Sequence, residues 1–474
     1  MTAAAPEPPD TPNRPDASDP PAPALSNEPE ASVTKQILSL ALPALGTLIA
    51  QPLLTTIDSA MVGHLGTAPL AGLAISSTIL MTTFGLFIFL AYSTTSITAK
   101  HFGAGQLKAG LQAGLDALWL ALFCGVGATL FLLLFGPQLI GLLGTSAAAL
   151  PHATAYLQFA APGLIGMLIS LAATGTLRGL LDTRTPLIVA TVGAGANAIL
   201  NAILIFGLNL GITGSAIGTA VTEICMGAFL AYKVLQACRA HQVRAVANFS
   251  GIFKASRTGA PLIIRTLSMR ICLLFTVITL AHAGDLAVAG NQIVATIWGF
   301  AVFSLDALAI AAQALVGRSL GAQDAVRTQQ LLGILTRWGI VAGAILGVVV
   351  AASAPLLPLL FTADLPLQQV ATVGLWYSAP FYLLAGYVFI LDGVLIGAGD
   401  NRYLAFAATL VMFVFLPALW VYEKFFLEGG GQNISVQSSA LGIIWLLFGV
   451  FFMGGRAATL FWRTRNAAWQ RVAN

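Results

Sequence analysis

The sequence predicts an all-α integral membrane protein of twelve transmembrane helices in two parallel six-helix lobes. Three observations predict it. Of 474 residues, 57% are hydrophobic and only 8% are charged, where a soluble domain carries roughly 25% charged residues. Apolar runs long enough to cross a bilayer follow one another nearly end to end. The chain also repeats itself at a fixed offset of 218 residues: Pro43 recurs as Pro261, His64 and Gly66 as His282 and Gly284, and Gly103-Ala104 as Gly321-Ala322. Pro162 likewise recurs as Pro380, and Gly179, Asp182 and Arg184 as Gly397, Asp400 and Arg402. Apolar matches are cheap in so greasy a chain; matched Pro, His, Asp and Arg at one offset are not. Two halves that can rock against one another point to a transporter.

Six spans are read in each half. They fall near 36–63, 68–97, 111–135, 152–175, 187–208 and 213–236, then 259–281, 287–315, 332–355, 369–396, 403–422 and 437–461. An even number per half leaves both halves the same way up, so the repeat is parallel. The division is a cytoplasmic tail (1–34), an N-terminal lobe (35–250), a C-terminal lobe (251–465) and a second cytoplasmic tail (466–474). The first tail is rich in Pro and Ala, with Glu7, Asp10, Asp16, Asp19, Glu28 and Glu30, a composition that predicts disorder.

Lys and Arg set the orientation. One set of loops holds Lys100, Lys108, Arg178, Arg184, Arg239, Arg244, Lys254, Arg257, Arg318, Arg327 and Arg402, and the C-terminal tail adds Arg463, Arg465 and Arg471. The opposite loops hold almost none, Lys424 being the main exception. Both termini are therefore expected in the cytoplasm, and the protein in the cell's inner or plasma membrane. The formal net charge of +4 is spread over many short loops, which makes it topology and not a nucleic-acid footprint.

Several chemistries are excluded. No Lys follows a Gly, so there is no phosphate-binding GxxxxGK loop, and no His is followed by Glu, so there is no HExxH zinc helix. Cys124, Cys225, Cys238 and Cys272 lack metal-ligand spacing, and no disulfide framework is expected. No nucleophile, base and orienter are grouped, so the chain is not read as an enzyme and needs no cofactor. Movement of a solute, driven by something other than ATP, is the default.

Charges inside spans are costly and usually functional. Thr47, Gln51, Thr55 and Asp58 share one face of span 1, with Asp58 roughly 8 Å from its outer end. Gln51 and Thr55 read as a polar stripe facing a cavity. Asn197 and Asn201 share a face of span 5, and Thr219 on span 6 reaches the depth of Asp58 and Asn201. One carboxylate with amide and hydroxyl oxygens suits a proton or a small hard cation such as Na⁺. The second lobe has charges of its own: Arg265 and Arg270 on span 7, Asp306 on span 8 and Asp392 on span 10. Arg270 and Asp306 are placed at a common depth of about 16–18 Å from the inner face, with Arg265 and Asp392 nearer to it. Glu223 and Asp116 read as structural.

Leu42-Pro43-Ala44 and Asp58-Ser59-Ala60-Met61-Val62-Gly63-His64-Leu65-Gly66 resemble the first span of the multidrug and toxic compound extrusion (MATE) family. Arg178-Gly179-Leu180-Leu181-Asp182-Thr183-Arg184-Thr185-Pro186 resembles its loop between spans 4 and 5. The run from Leu305-Asp306 to Gly317-Arg318 is similar to the DinF-like branch, and Asp392 to Asp400 fits the family pattern on span 10. The likeness covers roughly residues 35–465. It implies a central cavity that opens to alternate faces, and export of organic, often cationic, compounds against H⁺ or Na⁺. It also implies that Asp58, Asn197, Asn201 and Thr219 form the coupling site. This chain departs from many relatives in having Asn201 for Asp, and from DinF-like relatives in having Gln51 for Glu. Both departures leave Asp58 as the one ionisable group expected in that cluster.

The function expected is an antiporter, coupled to H⁺ in preference to Na⁺, that exports small organic, cationic or lipophilic compounds. Na⁺ is the alternative occupant of the Asp58, Asn197, Asn201 and Thr219 site; no other metal is expected. The expected partners are small organic substrates and the lipid bilayer, with no nucleic acid, and the protein is expected to be a monomer. A lipid or lipid-linked sugar flippase and a transport-inactive scaffold are the alternatives.

Overall fold

The computed structural model describes residues 30–243, 246, 248–427, 433–466 and 468–471. The first half runs α1 (Glu30–Gly63), α2 (Thr67–Leu86), α3 (Phe89–Gly103), α4 (Leu107–Leu142), α5 (Leu150–Ala160), α6 (Gly163–Gly179), α7 (Arg184–Ala202) and α8 (Gly211–Ala240). The second runs α9 (Phe249–Ala283), α10 (Asp285–Gly321), α11 (Ala325–Ser353), α12 (Leu365–Ser378), α13 (Phe381–Gly397), α14 (Asn401–Phe426), α15 (Ile434–Leu447) and α16 (Gly454–Arg465), ending in a short α17 (Ala468–Arg471). All regular structure in the described residues is helical. Ten helical stretches are long and apolar enough to cross a membrane, and two bent pairs complete twelve. The predicted tail at 1–34 lies outside the described residues up to residue 29, and α1 begins at Glu30. At the other end, α17 folds back and buries Trp469, whose Nε1 donates to the Thr464 carbonyl at 3.3 Å.

The repeat is copied in backbone geometry. α5 and α6 meet at a bend of 49°, α12 and α13 at 54°. Pro162 and Pro380 stand at these breaks. Proline has no N–H to give to the residue four back, so each span bends there. Left-handed turns match too: Gly105 (φ 72°) pairs with Gln323 (56°), and Leu181 (65°) with Gly399 (73°). Gly66 at φ 123° pairs with Gly284 at 130°, a region closed to side chains, and glycine stands at both. Two π-helical turns, Ile203–Gly207 and Phe448–Met453, are not copies of one another.

The lobes meet through the halves of their helices that end in the Lys- and Arg-bearing loops. Ala44 on α1 packs with Ala307 and Ile310 on α10. The Ser96 hydroxyl donates to the Gly397 carbonyl at 2.9 Å, and Lys100 Nζ to the Ala398 carbonyl at 2.6 Å. At the crossing of α3 and α10 the backbones touch. A Cβ on Gly103 would lie 1.9 Å from the Arg318 carbonyl oxygen, and one on Gly321 would lie 1.9 Å from that of Lys100. Gly103 and Gly321 are repeat partners, as are Lys100 and Arg318. This contact joins the two halves backbone to backbone.

Replacing Gly103 or Gly321 by Leu should force this crossing apart. In a background freed of the four native cysteines, a Ser96→Cys probe should then react faster with a membrane-impermeant maleimide applied from that face. Equal labelling with and without the leucine would show that the crossing is not the seal.

Candidate functional site

Asp58, Asn197, Asn201 and Thr219 come together between α1, α7 and α8. Asp58 is 3% exposed and Asn201 fully buried. Thr219 Oγ1 donates to Asp58 Oδ2 at 3.1 Å, and the Asn201 amide Nδ2 donates to Asp58 Oδ1. The same amide group donates to Asn197 Oδ1 at 3.1 Å, while Asn197 Nδ2 donates to Thr219 Oγ1 at 3.4 Å. Asn201 Oδ1 is buried without a hydrogen-bond partner. Helix spacing makes the cluster: Asn197 and Asn201 are four apart on α7, and the π-helical turn starting at Ile203 follows directly. Gly218 leaves the room, since a Cβ there would lie 1.8 Å from Asn201 Oδ1.

A cavity opens beside this cluster, lined by Gln51, Thr55 and Asp58 from α1, Ser77 and Met81 from α2, and Tyr156, Thr219 and Glu223 from α5 and α8, among others. Its free volume is about 30 Å³, the scale of a single water and well below the roughly 300–1,000 Å³ of a drug-sized pocket. The cavity suits an ion or a water, not an organic substrate. Thr55 donates to the Gln51 carbonyl at 3.1 Å, and Gln51 Nε2 to Glu223 Oε1 at 3.5 Å.

Asp58 is therefore not the one ionisable group here. Glu223, 4% exposed, lines the same cavity. It follows Thr219 by four residues, which put it on the same helical face, and that spacing was the available signal. α6 packs on α8 through glycines: a Cβ on Gly166 would lie 2.2 Å from the Glu223 carbonyl oxygen, and one on Gly227 would lie 2.4 Å from that of Gly166. Small residues let the two backbones approach and fix Glu223 toward the cavity.

The second lobe pairs its charges. Arg265 Nη2 donates to Asp392 Oδ2 at 2.6 Å, and Arg456 Nη2 donates to the same oxygen. All three are under 9% exposed. Arg456 was not singled out in the sequence. Its guanidinium also lies 5.6 Å from the Phe452 ring centre and 5.9 Å from that of Phe389, a cation–π setting. Asp306 accepts from Tyr92 Oη at 3.5 Å, across the lobe boundary, with Arg178 and Arg265 as its electrostatic partners.

The pairing of Arg270 with Asp306 by depth is corrected. α9 begins at Phe249, ten residues before the predicted span, whereas α10 ends at Gly321, six residues after its own. That inequality is one helical turn, and it brings Asp306 level with Arg265. Arg270 instead faces α2, where a Cβ on Gly85 would lie 3.4 Å from its guanidinium. Asp116 accepts from Gln112 at 3.0 Å at the lobe boundary, beside Gly251. Among the described residues, no group of three or more His, Cys, Asp or Glu is placed to hold a metal ion.

The MatE family model matches residues 43–203 and again 261–421. The two matches begin and end 218 residues apart, which is the offset of the internal repeat. The chain belongs to the MatE family. Members of this family are transporters, not enzymes. The chain is 28% identical to the DNA damage-inducible protein F of Escherichia coli, over 85% of this chain and 92% of that protein. It is also 28% identical to Protein DETOXIFICATION 44, chloroplastic, of Arabidopsis thaliana, over 97% of this chain and 87% of the relative. A probable multidrug resistance protein NorM of Thermotoga maritima is 24% identical over 85% and 89%. Among solved structures, a MATE protein in a bent conformation superposes with a TM-score of 0.81 at 19% identity, covering 93% of this chain and 97% of the other. A mutant of the Vibrio cholerae transporter VcmN gives 0.79 at 22% identity, covering 93% and 97%. Protein fold and MatE membership agree with the sequence-based expectation.

Two substitutions test this MatE site. Asp392→Asn strands two buried arginines and should cost about 3–5 kcal/mol of stability, read as a lower melting temperature in detergent. Gly218→Ala should displace the Asn201 amide from Asp58, leaving the melting temperature closer to wild type than Asp392→Asn does.

Proposed function

We propose that this protein is a proton-coupled secondary exporter of small organic compounds, working by alternating access in the inner or plasma membrane with both termini in the cytoplasm. Family members run on an ion gradient; the ion and the substrate are the parts proposed here. One observation carries the ion assignment. Asp58 sits in a water-sized cavity and, among the described residues, receives hydrogen bonds only from neutral groups, the amide of Asn201 and the hydroxyl of Thr219. A carboxylate served by neutral donors can take up and lose a proton without breaking an ion pair. Asn201 supports both states: its amide N–H serves the ionised form, and on turning over, its unpartnered Oδ1 accepts from the protonated form. A hard cation such as Na⁺ would need the same turn of the Asn201 amide and further oxygens to complete a cage; a proton needs only the one carboxylate oxygen and the one amide.

In this reading the basic-loop face is cytoplasmic and the crossing at Gly103 and Gly321 is the inner gate. The lobes then divide as 35–250 and 251–465, with Arg178, Asp306 and Tyr92 spanning the boundary near that gate. Protonation of Asp58 from outside favours substrate release and the return step. The substrate site is the cleft between lobes, since the N-lobe cavity is too small. A monomer contains every part of this cycle.

A second reading is flipping of a lipid or lipid-linked sugar. Its support is Arg270, which faces α2 in mid-span and makes no ion pair among the described residues. Binding of a lipid-linked phosphate in preference to ethidium would favour it.

The test is ethidium efflux from proteoliposomes under an imposed pH gradient, then under an imposed Na⁺ gradient. Wild type should respond to the first. Asp58→Asn should bind ethidium yet lose gradient-driven efflux. Full proton-driven efflux by Asp58→Asn would sink the assignment of that residue, and a response to Na⁺ alone would sink the choice of ion.

A further inference from the structure

We infer that Glu223 is a second proton-carrying group of the N-lobe cavity, so that protons bind to an Asp58–Glu223 pair. This rests on the reading of Asp58 as the coupling carboxylate and extends it.

The geometry treats the two carboxylates alike. Each is almost fully buried, and each receives a side-chain amide from another helix. Asn201 on α7 serves Asp58 on α1; Gln51 on α1 serves Glu223 on α8. Both carboxylates line one cavity, and its lining residues include no Lys, Arg or His. The titratable groups facing Glu223 there are Asp58 from α1 and Tyr156 from α5; the lining residues from α2 and α6 are neutral. Asp392 shows the contrast. Two arginines hold it, and an ion pair of that kind fixes the ionised form.

Charge balance then assigns the role. Two negative charges in one small, mostly apolar cavity repel each other strongly, and none of the residues lining it carries a positive charge to offset them. Protons supply the compensation. Each step is a simple transfer: a proton reaches a carboxylate oxygen from water, its O–H donates to the amide oxygen opposite after the amide turns, and the reverse releases it. Because the carboxylates interact, the protons leave in two steps that belong to the pair. The departure at Asn201 is thereby reinterpreted. A second carboxylate is present, carried by α8 in place of α7.

Infrared difference spectroscopy of the lipid-reconstituted protein through a pH titration tests this without any substrate. Wild type should show carboxylic-acid C=O bands that titrate, two of them from this pair. Asp58→Asn should remove one and Glu223→Gln the other, and in either variant the remaining band should shift its titration midpoint. Glu223→Asp should keep a second band at an altered frequency, which separates loss of the proton site from loss of fold. A Glu223→Gln spectrum with every wild-type band intact overturns the proposal. Loss of no band in Asp58→Asn, with loss in Glu223→Gln, overturns instead the reading of Asp58 on which it rests.

Discussion

A carboxylate in the middle of a bilayer has to be neutralised, and the structure follows from how each lobe does it. The second lobe uses opposite charge: Arg265 and Arg456 close on Asp392. The first uses neutral donors, and its carboxylates stand beside a small cavity. An ion pair holds its charge through any rearrangement. A carboxylate met by amides and hydroxyls does not, so the charge at Asp58 is free to change where that at Asp392 is not. A single fold, copied, has been given buried carboxylates in two kinds of setting.

That division needs close helix packing. Gly166 and Gly227 bring α6 against α8, and Gly218 admits the Asn201 side chain. Apolar side chains gain little by leaving lipid for a protein interior, so membrane helices rely on shape and on small residues. Here the small residues do more than hold helices together. They bring α6 against the backbone at Glu223 and leave the space that the Asn201 side chain fills. The glycine-rich composition of the chain is thus part of the chemistry of the site.

Much of this was legible in the sequence. Membrane class, span order and the parallel repeat follow from apolar run length and from a fixed offset, and both survive errors of several residues. Asp58, Asn201 and Thr219 were grouped because i, i+4 spacing and depth from nearby loops are short-range properties. Depth failed for Arg270 and Asp306, whose helices overrun their apolar spans by unequal lengths. Arg456 lies inside the span read at 437–461, so a charge within a span was signal enough; the π-helical turn at Phe448–Met453 before it hides only the direction it faces. Glu223 reads as structural in the sequence for a different reason. The four-residue step from Thr219 puts it on the right helical face, but its partners, Gln51 and Asp58, are far away in the chain.

The crossing at Gly103 and Gly321 has a further meaning. Gly103 meets the backbone of Arg318, and Gly321 meets that of Lys100, so each partner contacts the other's counterpart. This reciprocity is the mark of an isologous interface between identical subunits. The contact between the lobes at this crossing therefore has the form of a homodimer contact within one polypeptide. A homodimer cannot alter one side of its interface alone, whereas fused copies can. Joining the two units released each half to take its own charges while the contact between them kept its symmetry.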